Sequence, residues 1–86
     1  MEKFVYRGHL IAVLPDHDPE KGTWLARVAI DVRSAGVSER VYYTDHMHTY
    51  SSEAEAGEAS AAFGRHIVDT FIVPSMGEGD PEADSQ

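Results

Sequence analysis

Thr23–Val32 reads TWLARVAIDV and decides the fold. One set of alternating positions carries Trp, Ala, Val, Ile and Val, and the intervening set carries Leu, Arg, Ala and Asp. A period of two is typical of a β-strand with one buried face, because successive side chains point to opposite sides of a sheet. The sequence therefore predicts a strand over residues 23–32, with the more apolar set turned towards a core.

The segment before this strand carries a second strand signal. Phe4–Leu14 is rich in aromatic and branched apolar residues and ends at Pro15. Such a composition indicates a strand, and Gly8 in its middle predicts a β-bulge. Beyond the bulge, we expect Ile11 and Val13 to face the core.

Two turns and a third strand complete the β-region. Asp16–Gly22 contains a proline and ends in a glycine, so it is expected to be a hairpin loop. Ser34–Gly36 is expected to be a second turn. Glu39–His48 contains the run Val-Tyr-Tyr-Thr and predicts a third strand, whose register stays open because both of its faces carry apolar residues.

The period changes from two to three or four after Ser52. Ser52 and Glu55 have the spacing of a capping box, in which the serine hydroxyl accepts a hydrogen bond from the backbone three residues later. We therefore predict a helix from Glu53 to Ile72 that stops before Pro74. The face expected to contact the sheet contains Ala56, Ala59, Ser60, Phe63, Ile67 and Phe71, and the opposite side contains Glu58, Arg65 and Asp69.

Two glycines interrupt this predicted helix. Gly57 and Gly64 lie seven residues apart on one face, and each costs up to about 1 kcal/mol relative to alanine in a helix. Their presence is expected to reflect a close approach of the helix backbone to the sheet, over Trp24. The alternative is a helix crossing at a dimer interface.

Together these elements predict an α+β domain of two layers, in which a three-stranded antiparallel β-meander packs on one C-terminal α-helix. Residues 1–74 form the domain, and the acidic segment 75–86, which is poor in apolar residues, is expected to be a disordered tail. So short a chain buries little apolar surface in its core. Dimerisation is therefore expected to stabilise the domain. The predicted core contains Ile11, Val13, Trp24, Ala26, Val28, Ile30, Tyr43, Phe63, Ile67 and Phe71.

The charge and composition exclude several function classes. The net charge of -8 argues against a nucleic-acid backbone or an anionic membrane as partner, because phosphate binding needs clustered cations. There is no cysteine, which excludes disulfides, thiolate catalysis and thiolate zinc sites. Without a signal-peptide pattern, a cytoplasmic location is expected, and the excess of arginine over lysine favours a bacterial source.

Histidines provide the one candidate metal site. Asp45-His46-Met47-His48 places two imidazoles two residues apart, a spacing at which His46 and His48 can share a divalent metal ion if the third strand extends that far. Asp16-His17-Asp18 is a second cluster, expected at the same end of a meander. The alternatives are that these histidines are simply exposed to solvent, or that they bind nickel or zinc adventitiously.

Catalysis and nucleic-acid binding have weaker support. No serine lies in a Gly-x-Ser-x-Gly motif, so no catalytic residues and no cofactor are expected, and the chain is predicted not to be an enzyme. RNA binding is a disfavoured alternative, in which aromatic side chains would stack on bases. The aromatic candidates are Tyr6, Trp24, Tyr42 and Tyr43, and the basic ones are Arg7, Arg27, Arg33 and Arg40.

The order of motifs resembles a known class of small proteins. Tyr6-x-Gly8-x-x-Ile11-x-Val13 is followed by Trp24-x-Ala26-x-Val28-x-Ile30, then by Ser52-x-x-Glu55-Ala56 and a helix ending near Ile67-Val68-Asp69. This series resembles short uncharacterised β-β-β-α proteins of proteobacteria. It is also similar in outline to the N-terminal part of HicB-type antitoxins, in which a Trp-bearing strand precedes a Thr/Ser-x-x-Glu-Ala helix start.

These observations predict a non-enzymatic protein–protein interaction or regulatory module that forms a homodimer. The apolar residues left over after the core is assigned support this prediction. They are Leu10, Leu14 and Leu25 on the strands and Val68 and Ile72 on the helix.

Overall fold

A computed structural model describes residues 2–34 and 36–76 of the 86-residue chain. It confirms the α+β class, with an antiparallel sheet followed by a C-terminal helical segment. The prediction of three strands is wrong, because the sheet has five. The elements are β1 (Glu2–Tyr6), β2 (His9–Val13), β3 (Asp16–Asp18), β4 (Thr23–Ser34), β5 (Val37–Tyr50), α1 (Glu53–Ile67), a π-helical turn (Val68–Ile72) and α2 (Val73–Met76).

The first predicted strand, Phe4–Leu14, is a β-hairpin. Arg7 has a φ of 53° and Gly8 a φ of 87°. Two consecutive positive φ angles are what a type I′ two-residue turn requires. β1 and β2 pair antiparallel across this turn, with Tyr6 opposite His9. The predicted bulge at Gly8 is therefore wrong, and the glycine instead helps to reverse the chain.

β2 and β3 pair with the same side of β4, and this pairing is interrupted at Pro15. Both pair antiparallel with β4 in one continuous register, with Val13 opposite Val28 and Asp16 opposite Leu25. The interruption follows from the chemistry of proline, which has no N–H to donate to a ladder. The predicted loop Asp16–Gly22 is thus wrong in its first three residues, which form β3.

β4 is the central strand and confirms the strand predicted over residues 23–32. It pairs with β2 and β3 along one side and with β5 along the other. Ala26 lies opposite Asp45 and Trp24 opposite Tyr50, so β5 carries three extra residues between these two pairs. The predicted third strand is therefore present but longer, and irregular near its end. β5 forms one edge of the sheet, and β1 and β3 form the other.

The predicted helix start is confirmed. The Ser52 hydroxyl oxygen accepts a hydrogen bond from the Glu55 N–H at 3.1 Å. The Glu55 carboxylate accepts from the Ser51 N–H at 3.3 Å and from the Ser51 hydroxyl at 2.9 Å. The reciprocal half of the capping box is therefore made with Ser51, one residue earlier than the motif predicts.

The predicted helix end is wrong, because the helical segment continues past Pro74 to Met76. A π-helical turn over residues 68–72 precedes α2, and Pro74 is the second residue of α2. The wide π turn also changes which side chains face the sheet. Ile72 is buried, whereas Phe71 is 57% exposed, so the predicted core position of Phe71 is wrong.

The core lies between the helical segment and one face of the sheet. Tyr43 and Phe63 pack at its margin, and Trp24, which was predicted to be in the core, is half-buried. The remaining predictions of core strand residues are confirmed. The buried apolar residues are Ile11, Ala12, Val13, Ala26, Val28, Ala29, Ile30, Ala56, Ile67, Val68 and Ile72.

Of the two helix glycines, Gly64 makes the predicted close approach to the sheet. A Cβ at Gly64 would lie 2.8 Å from the Cγ2 of Ile11 and 3.3 Å from the Cγ1 of Val28. The nearest atom to a Cβ at Gly57 is the Pro15 Cγ at 4.0 Å. The helix thus approaches the sheet over Ile11 and Val28. The predicted approach over Trp24 is wrong.

Within residues 2–34 and 36–76, no helix combines the length and the apolar character that crossing a membrane requires. Most of the acidic tail predicted over residues 75–86 falls outside the described residues, which end at Met76. Ser75 and Met76 belong to α2. The domain boundary at residue 74 stays a prediction.

Candidate functional site

The predicted histidine pair lies in the irregular part of β5. Asp45 accepts a hydrogen bond from the Met47 N–H at 2.9 Å, and its other oxygen lies 3.1 Å from the His48 Nδ1. Burial acts to raise the pKa of Asp45, but the hydrogen bonds from Met47 and His48 outweigh it and hold the pKa below its ordinary value. Asp45 therefore stabilises the local turn in its charged form.

The second cluster, Asp16-His17-Asp18, lies at the same end of the sheet. His17 is opposite Trp24, with ring centroids 4.6 Å apart, and Trp24 is in turn opposite Tyr50. No group of three or more His, Asp or Glu side chains is arranged to hold a metal ion in the part of the chain that the structure describes. Metal binding through His46 and His48 stays a prediction.

A polar cluster that sequence reasoning missed joins the β1–β2 turn to the helical segment. The Arg7 guanidinium lies 2.7 Å from an Asp69 oxygen, and the Tyr6 hydroxyl donates to the same carboxylate at 2.9 Å. The hydrogen bonds from Arg7 and then Tyr6 lower the pKa of Asp69, while the bond to Asp69 raises the pKa of Tyr6. This cluster holds the hairpin against the helix. The contact spans more than 60 residues, so no local motif could reveal it.

The surface with the most unusual composition is the side of the sheet that faces away from the helices. Strand pairing places one alternating set of residues on this side, which we call the open face. We limit the name to the part formed by β1, β2, residues 27–33 of β4 and the regular half of β5. Its members are Lys3, Val5, Leu10, Ala12, Arg27, Ala29, Asp31, Arg33, Ser38, Arg40, Tyr42 and Thr44.

β2 is apolar on both of its faces. Ile11 and Val13 contact the core, while Leu10 and Ala12 lie on the open face. Ala12 is paired with Ala29, and both are covered by neighbouring side chains, with 5% and 2% of their surface exposed. An antiparallel strand that faces water on one side normally alternates apolar with polar residues. β2 instead has the composition of a strand covered on both sides.

The open face is also basic, although the chain is acidic. Lys3, Arg27, Arg33 and Arg40 are four of the seven basic residues of the chain, and they share this face with a single acid, Asp31. The carboxylate of Asp31 lies 3.2 Å from the Nε of Arg40. The Arg27 guanidinium lies over the Tyr42 ring, 5.2 Å from its centre, a cation–π geometry. Asp16, opposite Leu25 on β3, lies on the same side of the sheet but outside the limits of this patch.

A recess of about 490 Å³ opens at one end of the open face. Val5 and Leu10 form its apolar side, and Asp31 and Arg33 form a charged side next to Ser38. Val5 is 68% exposed, so its apolar side chain is accessible from solvent. The recess therefore offers an apolar wall directly beside a guanidinium group.

The aromatic residues considered for base stacking are divided between the two faces. Tyr6 and Tyr43 pack against the core, and Trp24 contacts His17. Tyr42, which is 53% exposed, is the one of the four on the open face. The open face thus has basic and apolar side chains but lacks the row of aromatic residues on which single-stranded nucleic acids stack.

Comparisons with protein-family models, with curated proteins and with solved structures find no match to this chain. The resemblance to HicB-type antitoxins accordingly stays a prediction that rests on the motifs quoted above.

Proposed function

We propose that this chain is a non-enzymatic protein-interaction module that binds an acidic, partly apolar segment of a partner protein on the open face. The observation that carries the proposal is the composition of β2, which is apolar on both faces although α1 covers one of them. A third layer on this side would remove from water the apolar side chains that stay exposed around Ala12 and Ala29, among them Val5 and Tyr42.

The charge of the open face supports an acidic partner. Four basic residues and one acid surround Leu10, Ala12 and Ala29. A partner with carboxylates flanking its apolar side chains would pair with Lys3, Arg27 and Arg33 while its apolar groups cover the centre of the face. Two copies of this chain meeting through their open faces would instead bring like charges together, which disfavours that arrangement.

The recess at the end of the face supports the same partner chemistry. A leucine-sized side chain seated against Val5 and Leu10 places its own neighbours next to Arg33. Apolar anchors in a pocket with charged residues at the rim are the usual pattern of protein–protein interfaces. A nucleic acid would use the arginines but would leave the apolar wall unpaired.

The proposal is tested with a synthetic helical peptide that carries leucine at helical spacing and glutamate at the flanking positions. We expect this peptide to bind the full chain and a matched peptide with lysine in place of glutamate not to bind. Arg33→Glu should weaken binding about five- to tenfold, because it reverses a charge beside the recess. Fluorescence anisotropy of the labelled peptide measures both effects.

Lys21→Glu is the matched control, because Lys21 is an exposed residue in the turn before β4 and lies off the open face. It makes the same change in net charge and should leave the affinity unchanged. Equal weakening by both variants, or equal binding of both peptides, contradicts the proposal. So does tight binding of a uridine oligonucleotide that the acidic peptide does not displace.

A further inference from the structure

The outer edge of β5 is a second surface that the fold leaves open. β5 has 14 residues, whereas the edge strands on the other side, β1 and β3, have five and three. Within the described residues, β4 is the strand that pairs with β5, and no strand pairs with the opposite edge of β5. An edge of this length presents a row of backbone N–H and C=O groups that can extend the sheet.

We propose that a second copy of this chain adds its own β5 to this edge, so that two antiparallel β5 strands join the sheets around a twofold axis at Val41. Such an axis stands perpendicular to the sheet, and it places the two open faces side by side on one surface. The helices then lie together on the other side. The proposal concerns the edge of the sheet and is independent of what binds the open face.

The twofold axis restricts the register. Paired residues must come from the same face, since a shift by one residue would set inward-facing against outward-facing side chains. The axis must therefore pass through a residue position and not between two. The irregular segment between Asp45 and Tyr50 ends the regular pairing on one side. The candidate positions for the axis are accordingly Glu39 to Tyr43.

Charge selects among these positions. An axis at Glu39 or at Arg40 would set that residue against its own copy, and like charges directly opposite are destabilising. An axis at Tyr42 would pair Glu39 with Asp45 of the second copy, again with like charge. An axis at Tyr43 would extend the pairing into the irregular segment. Val41 is the position that avoids all four conflicts.

The register around Val41 is also favourable in its contacts. Val41 pairs with its own copy, and Arg40 lies opposite Tyr42 of the second copy, on the open-face side. A guanidinium beside an aromatic ring is a favourable cross-strand pair. Glu39 lies opposite Tyr43, Ser38 opposite Thr44 and Val37 opposite Asp45, so this register sets no like charges directly opposite each other.

The register is tested by pulsed EPR distances, since the absence of cysteine allows one spin label per chain. Ser38→Cys and Thr44→Cys lie three residues on either side of Val41. In the proposed dimer each label is six residues along the strand from its copy, about 20 Å at the usual rise per residue. The two distances should therefore be equal. Unequal distances contradict the axis at Val41, and no intermolecular distance in either variant contradicts the dimer.

A pair of lysine variants tests the edge by light scattering. Val41→Lys sets two ammonium groups opposite each other at the axis and should weaken the dimer about tenfold. Val37→Lys makes the same change at an exposed position. Because residue 37 pairs with Asp45 of the second copy, this variant should leave the dimer intact. Equal dimerisation of both variants overturns the proposal. Thermal unfolding of each variant shows whether its fold is retained, and the EPR distances test the proposal without altering Val41.

Discussion

Single side chains hold the two layers of this protein together. The Ser60 hydroxyl is fully buried, accepts a hydrogen bond from the Arg27 N–H at 2.9 Å and donates to the Ala56 carbonyl at 2.6 Å. It therefore satisfies a backbone donor of the central strand from the helix, and leaving such a group unpaired costs about 1–3 kcal/mol. Asp69 joins the layers again at the other end of the helical segment.

The Asp69 cluster predicts how stability depends on pH. Its lowered pKa means that its contribution is present above the ordinary carboxyl pKa and is lost as the pH falls through the lowered value. The raised pKa of Tyr6 means that its contribution is present below the ordinary tyrosine pKa and is lost as the pH rises through the raised value. Asp69→Asn should remove the first dependence and weaken the second, because the amide oxygen still accepts a hydrogen bond from Tyr6 but carries no charge.

Urea denaturation in neutral, acidic and strongly alkaline buffers measures this effect. The unsubstituted chain should lose more free energy of unfolding than Asp69→Asn does on going from neutral to acidic pH, and again from neutral to alkaline pH. Glu58→Gln is the control, because Glu58 lies on the exposed side of α1. If Asp69→Asn follows the same pH profile as the unsubstituted chain, the proposed coupling is wrong.

At the scale of elements, the approach of α1 to the sheet depends on a missing side chain. A Cβ at Gly64 would lie within 2.8 Å of the branched side chain of Ile11, which has little rotamer freedom. The same helix carries Gly57 at a position with room for a methyl group. The two glycines thus give opposite expectations for one substitution.

Gly64→Ala should lower the free energy of unfolding by about 1–3 kcal/mol, because the added methyl group overpacks the contact with Ile11 and Val28. Gly57→Ala should raise it by about 0.5–1 kcal/mol, because alanine favours the helix and meets no close atom. Chemical denaturation measures both. Two stabilised variants would mean that the helix lies farther from the sheet than the structure places it.

Local patterns explain what could be predicted of the fold. The alternation in β4 and the serine cap of α1 are properties of adjacent residues, and both predictions are confirmed. The β1–β2 turn was missed because arginine rarely adopts the positive φ that Arg7 has here. No local sequence pattern marks the π turn. The prediction therefore uses the period of a regular α-helix, which places Phe71 in the core and leaves Ile72 out of it.

The candidate site could be predicted in part. The sequence predicts that Leu10 has no place in the core, which indicates a further contact surface. The same prediction is wrong for Val68 and Ile72, which are buried in the core because the π turn rotates them towards the sheet. The basic character of that surface was not visible, because Arg27, Arg33 and Arg40 are scattered along the sequence and meet through the register of β4 with β5. Register depends on pairing between strands, and the pattern within β5 left it open.

At the scale of the whole molecule, the two sides of the sheet are unlike each other. One side is covered by α1 and the helical turns that follow, and the other carries a basic, partly apolar surface on a chain of net charge -8. This difference is the basis of the proposed function. The proposed dimer through the outer edge of β5 would place the open faces of two copies side by side on one surface.

The most direct test of this account is to map where the acidic peptide binds. Amide NMR spectra of the ¹⁵N-labelled full chain are recorded during a titration with the glutamate–leucine peptide. We predict that the largest shifts fall on open-face residues, among them Leu10, Ala12, Ala29 and Arg33, and that they shrink as salt is added. Shifts confined to the exposed side of α1, or no shifts at all, would contradict the central claim.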